Sequence, residues 1–268
     1  MSETPVLYQE IYRCELCSQF DNPDPNGIIG FVRPGSNQTF PVSHFGDIAN
    51  SLIWLVATNP KGDRNDPNVG HLVSQYDMRS RSMLSAQDAQ SVYNHFNSYF
   101  KNSSNIHSFF DVFLHLLDGI RVNDHKCTFE NGKICAVDAI KCPTDLDWQV
   151  FVRKPEGKKV WHNCLGNKSR PGPNRFLIKQ IILHKPLVLI FVGTDGLVPM
   201  QHKGSKNKVL TSLIPDDLKT YLMDVKYSAY PKRVSISLGG AGRISRAPVM
   251  IIDRLHHTVG KIIGDSLN

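Results

Sequence analysis

The chain has 268 residues, of which 41% are hydrophobic and 21% charged, and its formal net charge is +7. This composition is typical of a globular domain and excludes a disordered or collagen-like chain. The excess of positive charge favours a polyanionic partner such as nucleic acid. Because no run of about 18 apolar residues occurs and no leader pattern opens the chain, we expect a cytoplasmic protein without a membrane span.

Cysteines give the first functional signal along the chain. Cys14 and Cys17 form a C-x-x-C pair near the start, and Cys142 and Cys164 bracket a loop far downstream. Four thiolates are the ligand set of an iron–sulfur cluster or of a structural zinc ion. A C-x-x-C pair by itself also occurs in redox sites, so the prediction of a metal-stapled fold depends on the second pair.

The other two cysteines, Cys127 and Cys135, flank the sequence Glu130-Asn131-Gly132. Asn-Gly is a frequent turn sequence, so this segment predicts a turn with one cysteine on each arm. We interpret this pair as structural rather than metal-binding, because the other four cysteines are better placed to act as ligands.

The remaining elements follow from hydrophobic patterning. Continuous apolar runs predict buried strands, and apolar residues at helical spacing predict the helices between them. The predicted strands cover residues 51–57, 134–140, 187–192 and 233–238. The predicted helices cover residues 86–100, 108–118, 174–183, 215–225 and 248–263. Alternation of this kind predicts a three-layer α/β/α fold with a central, mainly parallel four-stranded sheet.

Two parts of the chain stand outside this alternation. Residues 1–50 are interpreted as an N-terminal extension that carries the C-x-x-C pair, and residues 51–268 as one α/β domain. Within that domain, residues 143–173 are interpreted as a long polar insertion, and loops of that length are usually functional.

The predicted strands end in polar or glycine-rich sequences. Residues 58–63 read Thr-Asn-Pro-Lys-Gly-Asp, residues 193–196 read Gly-Thr-Asp-Gly, and residues 239–243 read Gly-Gly-Ala-Gly-Arg. Ligands of parallel sheets bind at the carboxyl ends of the strands. Each sequence alone is typical of a plain turn, but together they indicate a site.

These pieces resemble, in the same order, the uracil-DNA glycosylase superfamily and its branch with a four-cysteine iron–sulfur cluster. The first pair, Cys14 and Cys17, resembles the family's N-terminal ligand pair. The segment 57–61 (Ala-Thr-Asn-Pro-Lys) resembles the first motif of the family. The segment 140–143 (Ile-Lys-Cys-Pro) resembles the segment that carries the family's third thiolate ligand, and Cys164 resembles the fourth ligand. The resemblance spans residues 14 to about 263 and implies the glycosylase fold, DNA as partner and a cluster of the 4Fe-4S type, with zinc as the alternative.

Three departures from the family concern the base-binding residues. The segment 239–241 (Gly-Gly-Ala) stands where the second catalytic motif begins His-Pro-Ser, and Gly239 therefore replaces the histidine that stabilises the leaving base. Asn68 stands where an aromatic residue stacks on the base, and Asp138 where iron–sulfur members have a base-reading asparagine. A carboxylate only accepts hydrogen bonds, so a base with amino groups would suit Asp138 better than uracil. Alternatively, Asp138 pairs with Lys141 or Arg243.

The resemblance also implies catalytic and DNA-binding roles. Asn59 is expected to position the attacking water, or else to cap the turn that follows it. Asp63 is a candidate general base, although acidic turn residues are usually only solvated. The basic residues Lys61, Arg243 and Arg246 are candidates for contact with phosphate, and basic loop residues are likewise often only solvated.

The sequence therefore predicts a monomeric DNA glycosylase that flips out and excises a damaged or modified base, such as uracil or another deaminated base. One alternative is a superfamily member that has lost catalysis and binds nucleic acid or a nucleotide without cleaving it. A third interpretation, a phosphate-handling enzyme that uses the glycine-rich loops, has less support because neither loop carries a P-loop or Rossmann fingerprint.

Overall fold

A computed structural model describes the fold of most of the first 192 residues and of one later hairpin. The described residues are 5–17, 40–57, 73–76, 78, 80–102, 106, 110, 113–114, 117, 121–122, 125–143, 155–166, 172–192, 226–237 and 244–253. They combine helices with strands, so the fold is of mixed α/β character. No helix within these ranges is long and apolar enough to cross a membrane.

Helices and strands alternate through much of the described chain. The helices are α1 (Val6–Tyr12), α2 (Ala86–Asn97), α3 (Tyr99–Asn102), α4 (Pro155–Cys164) and α5 (Phe176–His184). The strands are β1 (Ile53–Ala57), β2 (Arg121–Val122), β3 (His125–Lys126), β4 (Ile134–Asp138), β5 (Val188–Val192), β6 (Lys226–Ser237) and β7 (Ile244–Asp253). Short 3₁₀ turns lie at Val73–Tyr76 and Arg81–Met83.

A five-stranded sheet with the order β4-β1-β5-β7-β6 organises the fold. Strand β1 pairs in parallel with β4 on one side, from Ile53–Ile134 to Ala57–Asp138, and with β5 on the other. All five residues of β4 and the first four of β1 are buried, as expected for parallel strands covered on both faces. The predicted strands 51–57, 134–140 and 187–192 each contain one of these parallel strands.

The far side of the sheet differs from the prediction. Strand β6 begins before the predicted strand 233–238, and β7 occupies residues 244–253, where a helix was predicted from residue 248. Both strands pair antiparallel, β7 with β5 and β6 with β7. Only residues 238–243 connect β6 to β7, whereas a parallel crossover needs a dozen residues or more. Short apolar runs such as Val-Met-Ile-Ile suit a buried strand as well as a helix.

The N-terminal part of the chain contributes to the core of the sheet domain. Phe45 forms an antiparallel bridge with Ala136 of β4, through backbone hydrogen bonds of 2.7 and 2.9 Å. Helix α1 buries Tyr8, Ile11 and Tyr12 completely, one turn apart on a single face. The Tyr12 hydroxyl hydrogen-bonds to that of Ser43 at 2.7 Å. The segment interpreted as an extension is therefore packed into the domain where it is described.

Two further loops have defined structure. The Asn131 side chain accepts hydrogen bonds from the backbone N–H groups of Thr128 and Lys133, and Gly132 has a φ of 71°. This tight turn confirms the turn expected at the Asn-Gly sequence. By contrast, the predicted insertion 143–173 contains the ten-residue helix α4, which ends at Cys164.

Candidate functional site: four thiols and the edge of the parallel strands

Three segments of the chain carry the four cysteines that were predicted as ligands. Cys14 and Cys17 lie in the turn that follows α1, where the Cys14 N–H donates to the Ile11 carbonyl at 3.1 Å. Cys142 lies four residues after the end of β4, and Cys164 is the last residue of α4. Cys17, Cys142 and Cys164 are buried, and Cys14 is partly buried. None of the four forms a disulfide.

The four thiols lie near enough to influence one another electrostatically. Burial, followed by the charge of Cys142, raises the pKa of Cys17 to about 12. Burial also raises the pKa of Cys164 well above its usual value, and Cys142, Cys17 and Cys14 raise it further. The pKa of Cys142 is raised by burial and by Cys14. Four cysteines from distant parts of the sequence therefore share one microenvironment.

The four cysteines are here called the four-cysteine group. Within the described ranges, no group of three or more His, Cys, Asp or Glu side chains is arranged to hold a metal ion. The four thiols are therefore grouped by their electrostatic interactions and not by a ligand geometry around one ion.

Two sulfurs of the four-cysteine group accept hydrogen bonds from asparagine side chains. The Asn174 amide donates to Cys14 Sγ at 3.2 Å, and the Asn163 amide donates to Cys17 Sγ at 3.3 Å. The charge of Arg81 lowers the pKa of Cys142 and of Cys17. Charge-assisted hydrogen bonds are stronger than neutral ones, so these donors suit anionic sulfur.

Cys127 and Cys135 lie apart from this group, as predicted. Both are fully buried, and the Cys135 sulfur in β4 accepts a hydrogen bond from Ser51 Oγ at 3.1 Å. Burial raises the pKa of Cys135 well above its usual value. A buried neutral thiol of this kind behaves as a small apolar residue, which agrees with a structural role.

A buried carboxyl and ammonium lie at the end of β4. Asp138 is 5% exposed and Lys141 is 1% exposed. The Lys141 ammonium donates to the backbone carbonyls of Ser43, at 3.2 Å, and of Asp138. Burial raises the pKa of Asp138 overall, against the charge of Lys141, and burial lowers the pKa of Lys141 overall, against the charge of Asp138. The two groups therefore interact electrostatically, and the Lys141 ammonium hydrogen-bonds to the backbone carbonyl of Asp138 rather than to its carboxylate.

The same edge of the sheet brings the end of β1 next to Asp138. Ala57, the last residue of β1, is the register partner of Asp138, and the Ala57 carbonyl accepts the Ala139 N–H at 2.9 Å. Along the chain, β1, β4 and β5 are the first, second and third parallel strands, and in the sheet they lie in the order β4-β1-β5. In sheets of this order, ligands bind at the carboxyl ends of the first and third parallel strands, which here are β1 and β5.

Most other predicted site residues lie outside the described residues. These are Asn59, Lys61, Asp63, Asn68, Gly239 and Arg243. Arg246 was predicted in a glycine-rich loop, but the structure places it inside β7, opposite Ser235 of β6. Of the predicted base-reading and catalytic residues, Asp138 alone is described together with its surroundings.

No prediction from the sequence covered the side chains that lie beside the sulfurs, Asn163, Asn174 and Arg81. Asn163 directly precedes Cys164, and Asn174 opens the segment before α5, so both lie near a predicted ligand or helix start. Nothing in the sequence around Arg81 connects it with cysteines that lie more than 60 positions away on either side.

Comparison with protein-family models, curated proteins and solved structures found no match to this chain.

Proposed function

We propose that the protein is a DNA glycosylase-type hydrolase with a uracil-DNA glycosylase-like fold, which excises a damaged or modified base from DNA. The observation that carries this proposal is the convergence of Cys14, Cys17, Cys142 and Cys164 from three separate segments. Their order along the chain is the order that the resemblance requires.

The topology of the parallel strands also supports the proposal. Ligands of parallel sheets with the order β4-β1-β5 are expected at the carboxyl ends of β1 and β5. The segment 58–63, which contains Asn59, follows β1 in the sequence. Ala57, the last residue of β1, is the register partner of Asp138. The proposal therefore assigns water positioning to the segment after β1 and base reading to the neighbouring strand.

The proposed reaction is hydrolysis of the N-glycosidic bond of a nucleotide whose base has been flipped out of the stack. Asn59 holds a water against the sugar carbon, and Asp63 accepts the proton that the water loses. The water oxygen bonds to that carbon as the carbon–nitrogen bond breaks, and the base leaves with the bonding electron pair. Lys61, Arg243 and Arg246 bind the flanking phosphates.

Asp138 is the proposed reader of the base edge, with Asn68 and Gly239 lining the same base pocket. An ionised carboxylate accepts hydrogen bonds only, so Asp138 favours a base that presents an amino group. Lys141 compensates the buried charge of Asp138. Gly239 has no side chain with which to stabilise the leaving base, so that charge must be met by backbone or basic groups nearby.

The four-cysteine group fits an iron–sulfur cluster, and zinc is the alternative. Four thiols, two of which accept hydrogen bonds from asparagine amides, are a suitable ligand set for either. The resemblance to the iron–sulfur branch of the family favours a cluster. When bound, the group would link the end of α1 to the segments around Cys142 and Cys164 as a structural clamp.

A strand-cleavage assay tests this function. Anaerobically purified protein is incubated with duplex and single-stranded oligonucleotides that each contain one uracil, hypoxanthine, xanthine or other modified base, and alkali then cuts any abasic site. We expect cleavage at one class of base, and loss of that cleavage in Asn59→Ala. Asn94→Ala, an exposed change on α2, is the matched control and retains activity. Cleavage that persists in Asn59→Ala would remove Asn59 from the mechanism.

The second candidate is a binding module that recognises nucleic acid or a nucleotide without cleaving it. Two observations favour it: Gly239-Gly240-Ala241 replaces the usual catalytic motif, and Asp138 is almost completely enclosed. In that case the oligonucleotides would bind, in a salt-dependent manner, and none would be cut.

A further inference from the structure

Two hydrogen bonds to the four-cysteine group come from different places in the chain. Asn163 lies in α4 and donates to Cys17 Sγ at 3.3 Å, and Asn174 precedes α5 and donates to Cys14 Sγ at 3.2 Å. The two donors are eleven positions apart, and each serves a different sulfur. A shared target therefore explains why the donors converge.

Arg81 adds a buried positive charge to this arrangement. Its side chain is 8% exposed, and its charge lowers the pKa of Cys142 and of Cys17. Glu15 lies near it: burial alone raises the pKa of Glu15, but hydrogen bonds from Ser80 and Ser82 and the charge of Arg81 lower it overall. A buried cation is costly unless anionic groups surround it, and here those are Glu15 and the sulfurs.

We infer that Asn163 and Asn174 are positioning residues of a four-thiolate metal centre, which hold two of its sulfur ligands by N–H···S hydrogen bonds, and that the buried Arg81 beside them neutralises part of the ligand charge. This inference rests on the four-cysteine site of the proposed function, but not on glycosylase activity. Hydrogen bonds to ligand atoms and to cluster sulfurs tune metal affinity and reduction potential.

The asparagines offer a near-isosteric test. Asn163→Asp and Asn174→Asp remove the N–H donor that now lies about 3 Å from sulfur. They put a carboxylate in its place, which only accepts hydrogen bonds and carries a negative charge at neutral pH. Loss of an outer-shell partner typically costs 10- to 100-fold in metal affinity. Asn163→Ala and Asn174→Ala remove the donor without adding charge, so their loss should be smaller. Asn94→Asp makes the same change on the exposed surface of α2 and should have no effect.

For Arg81 the comparison separates charge from hydrogen-bond geometry. Arg81→Lys keeps the charge and loses the planar fork of donors, whereas Arg81→Gln keeps a donor and loses the charge. We expect metal affinity to fall in the order wild type, Arg81→Lys, Arg81→Gln. Equal losses in the two variants would mean that geometry, and not charge, is what Arg81 contributes.

The experiment is a chelator competition on the full chain, purified anaerobically and reconstituted in parallel with iron and sulfide or with zinc. Iron, sulfide and zinc are counted per chain, which decides between the two metals. The chelator concentration that removes half of the metal is then measured for each variant, with circular dichroism as the check on folding. We expect each asparagine-to-aspartate variant to need 10- to 100-fold less chelator than wild type and Asn94→Asp.

A spectroscopic readout covers variants that fold poorly. If iron is bound, removal of an N–H donor should raise the iron–cysteine stretching frequency in resonance Raman spectra, and this shift can be read in the alanine variants. Wild-type affinity and unshifted frequencies in folded variants would overturn the inference. Wild-type protein that binds neither metal would overturn the four-thiolate centre. Metal bound as expected without any cleavage of DNA would leave this inference standing and contradict the glycosylase proposal instead.

Discussion

The buried pair of Asp138 and Lys141 allows a quantitative test of the fold beside the site. In Lys141→Met, the ammonium that donates to the Ser43 and Asp138 carbonyls is lost, and the Asp138 carboxyl stays buried without its partner. Removing one of two buried charged groups that compensate each other costs about 3–5 kcal/mol, because the remaining group stays buried without compensation. Because 1 kcal/mol corresponds to about 2–4 °C for a domain of this size, we expect the Tm to fall by about 6–20 °C.

The reverse variant and the double variant complete the cycle. Asp138→Asn leaves Lys141 buried without a carboxylate and should cost a similar amount, about 3–5 kcal/mol. The double variant removes both charges, so its loss should be smaller than the sum of the two single losses by about 2 kcal/mol or more. Urea denaturation of the three variants, with equal metal content, measures these differences. Additive losses, or single losses below about 1 kcal/mol, would refute the claim that the two groups compensate each other.

Three further predictions follow from the described contacts. Burial lowers the pKa of His44 and lowers that of His184 to about 4, so the unfolded chain takes up protons below about pH 6.5 before the folded protein does. Stability should be full above that pH, and by pH 5 His184 alone should cost about 2 kcal/mol, with a further loss from His44; urea denaturation measures this loss, and a flat profile would contradict it. His184→Gln keeps a hydrogen-bond partner for Tyr8 but removes one titration, so its pH profile should be shallower than that of wild type. Gly46→Ala should lower the Tm by several degrees, because Gly46 has a φ of +93° and a Cβ there would lie 2.8 Å from the Phe100 ring; an unchanged Tm would mean that this close approach is relieved at no cost.

The three parallel strands were predictable because their runs are apolar throughout. A strand covered on both faces needs apolar residues at every position, and β1 and β4 meet that condition almost without exception. Helix α1 was missed, although Tyr8, Ile11 and Tyr12 follow helical spacing, because one seven-residue helix gives a weak periodic signal. Strand β7 was mistaken for a helix, because its pairing with β5 and β6 depends on contacts that local sequence does not contain.

The candidate site likewise contains some features that could be predicted from the sequence and others that could not. The proximity of the four cysteines was predictable because thiols in this pattern are chemically distinctive and are expected to act together. The neighbouring Asn163, Asn174 and Arg81 were not predictable, because asparagine and arginine are common on surfaces and only the folded chain brings them to the thiols. Of the two groups predicted as alternatives beside Asp138, Lys141 interacts with it electrostatically and Arg243 lies outside the described residues.

Base release measures the central claim most directly. A single-turnover reaction with excess protein and a duplex that carries one modified base is followed by mass spectrometry of the free base and of the oligonucleotide. The account predicts one equivalent of free base and one abasic strand for each duplex, both absent with Asn59→Ala. An oligonucleotide that is bound yet keeps its full mass with every base, in protein with its metal content intact, would contradict the assignment as a glycosylase.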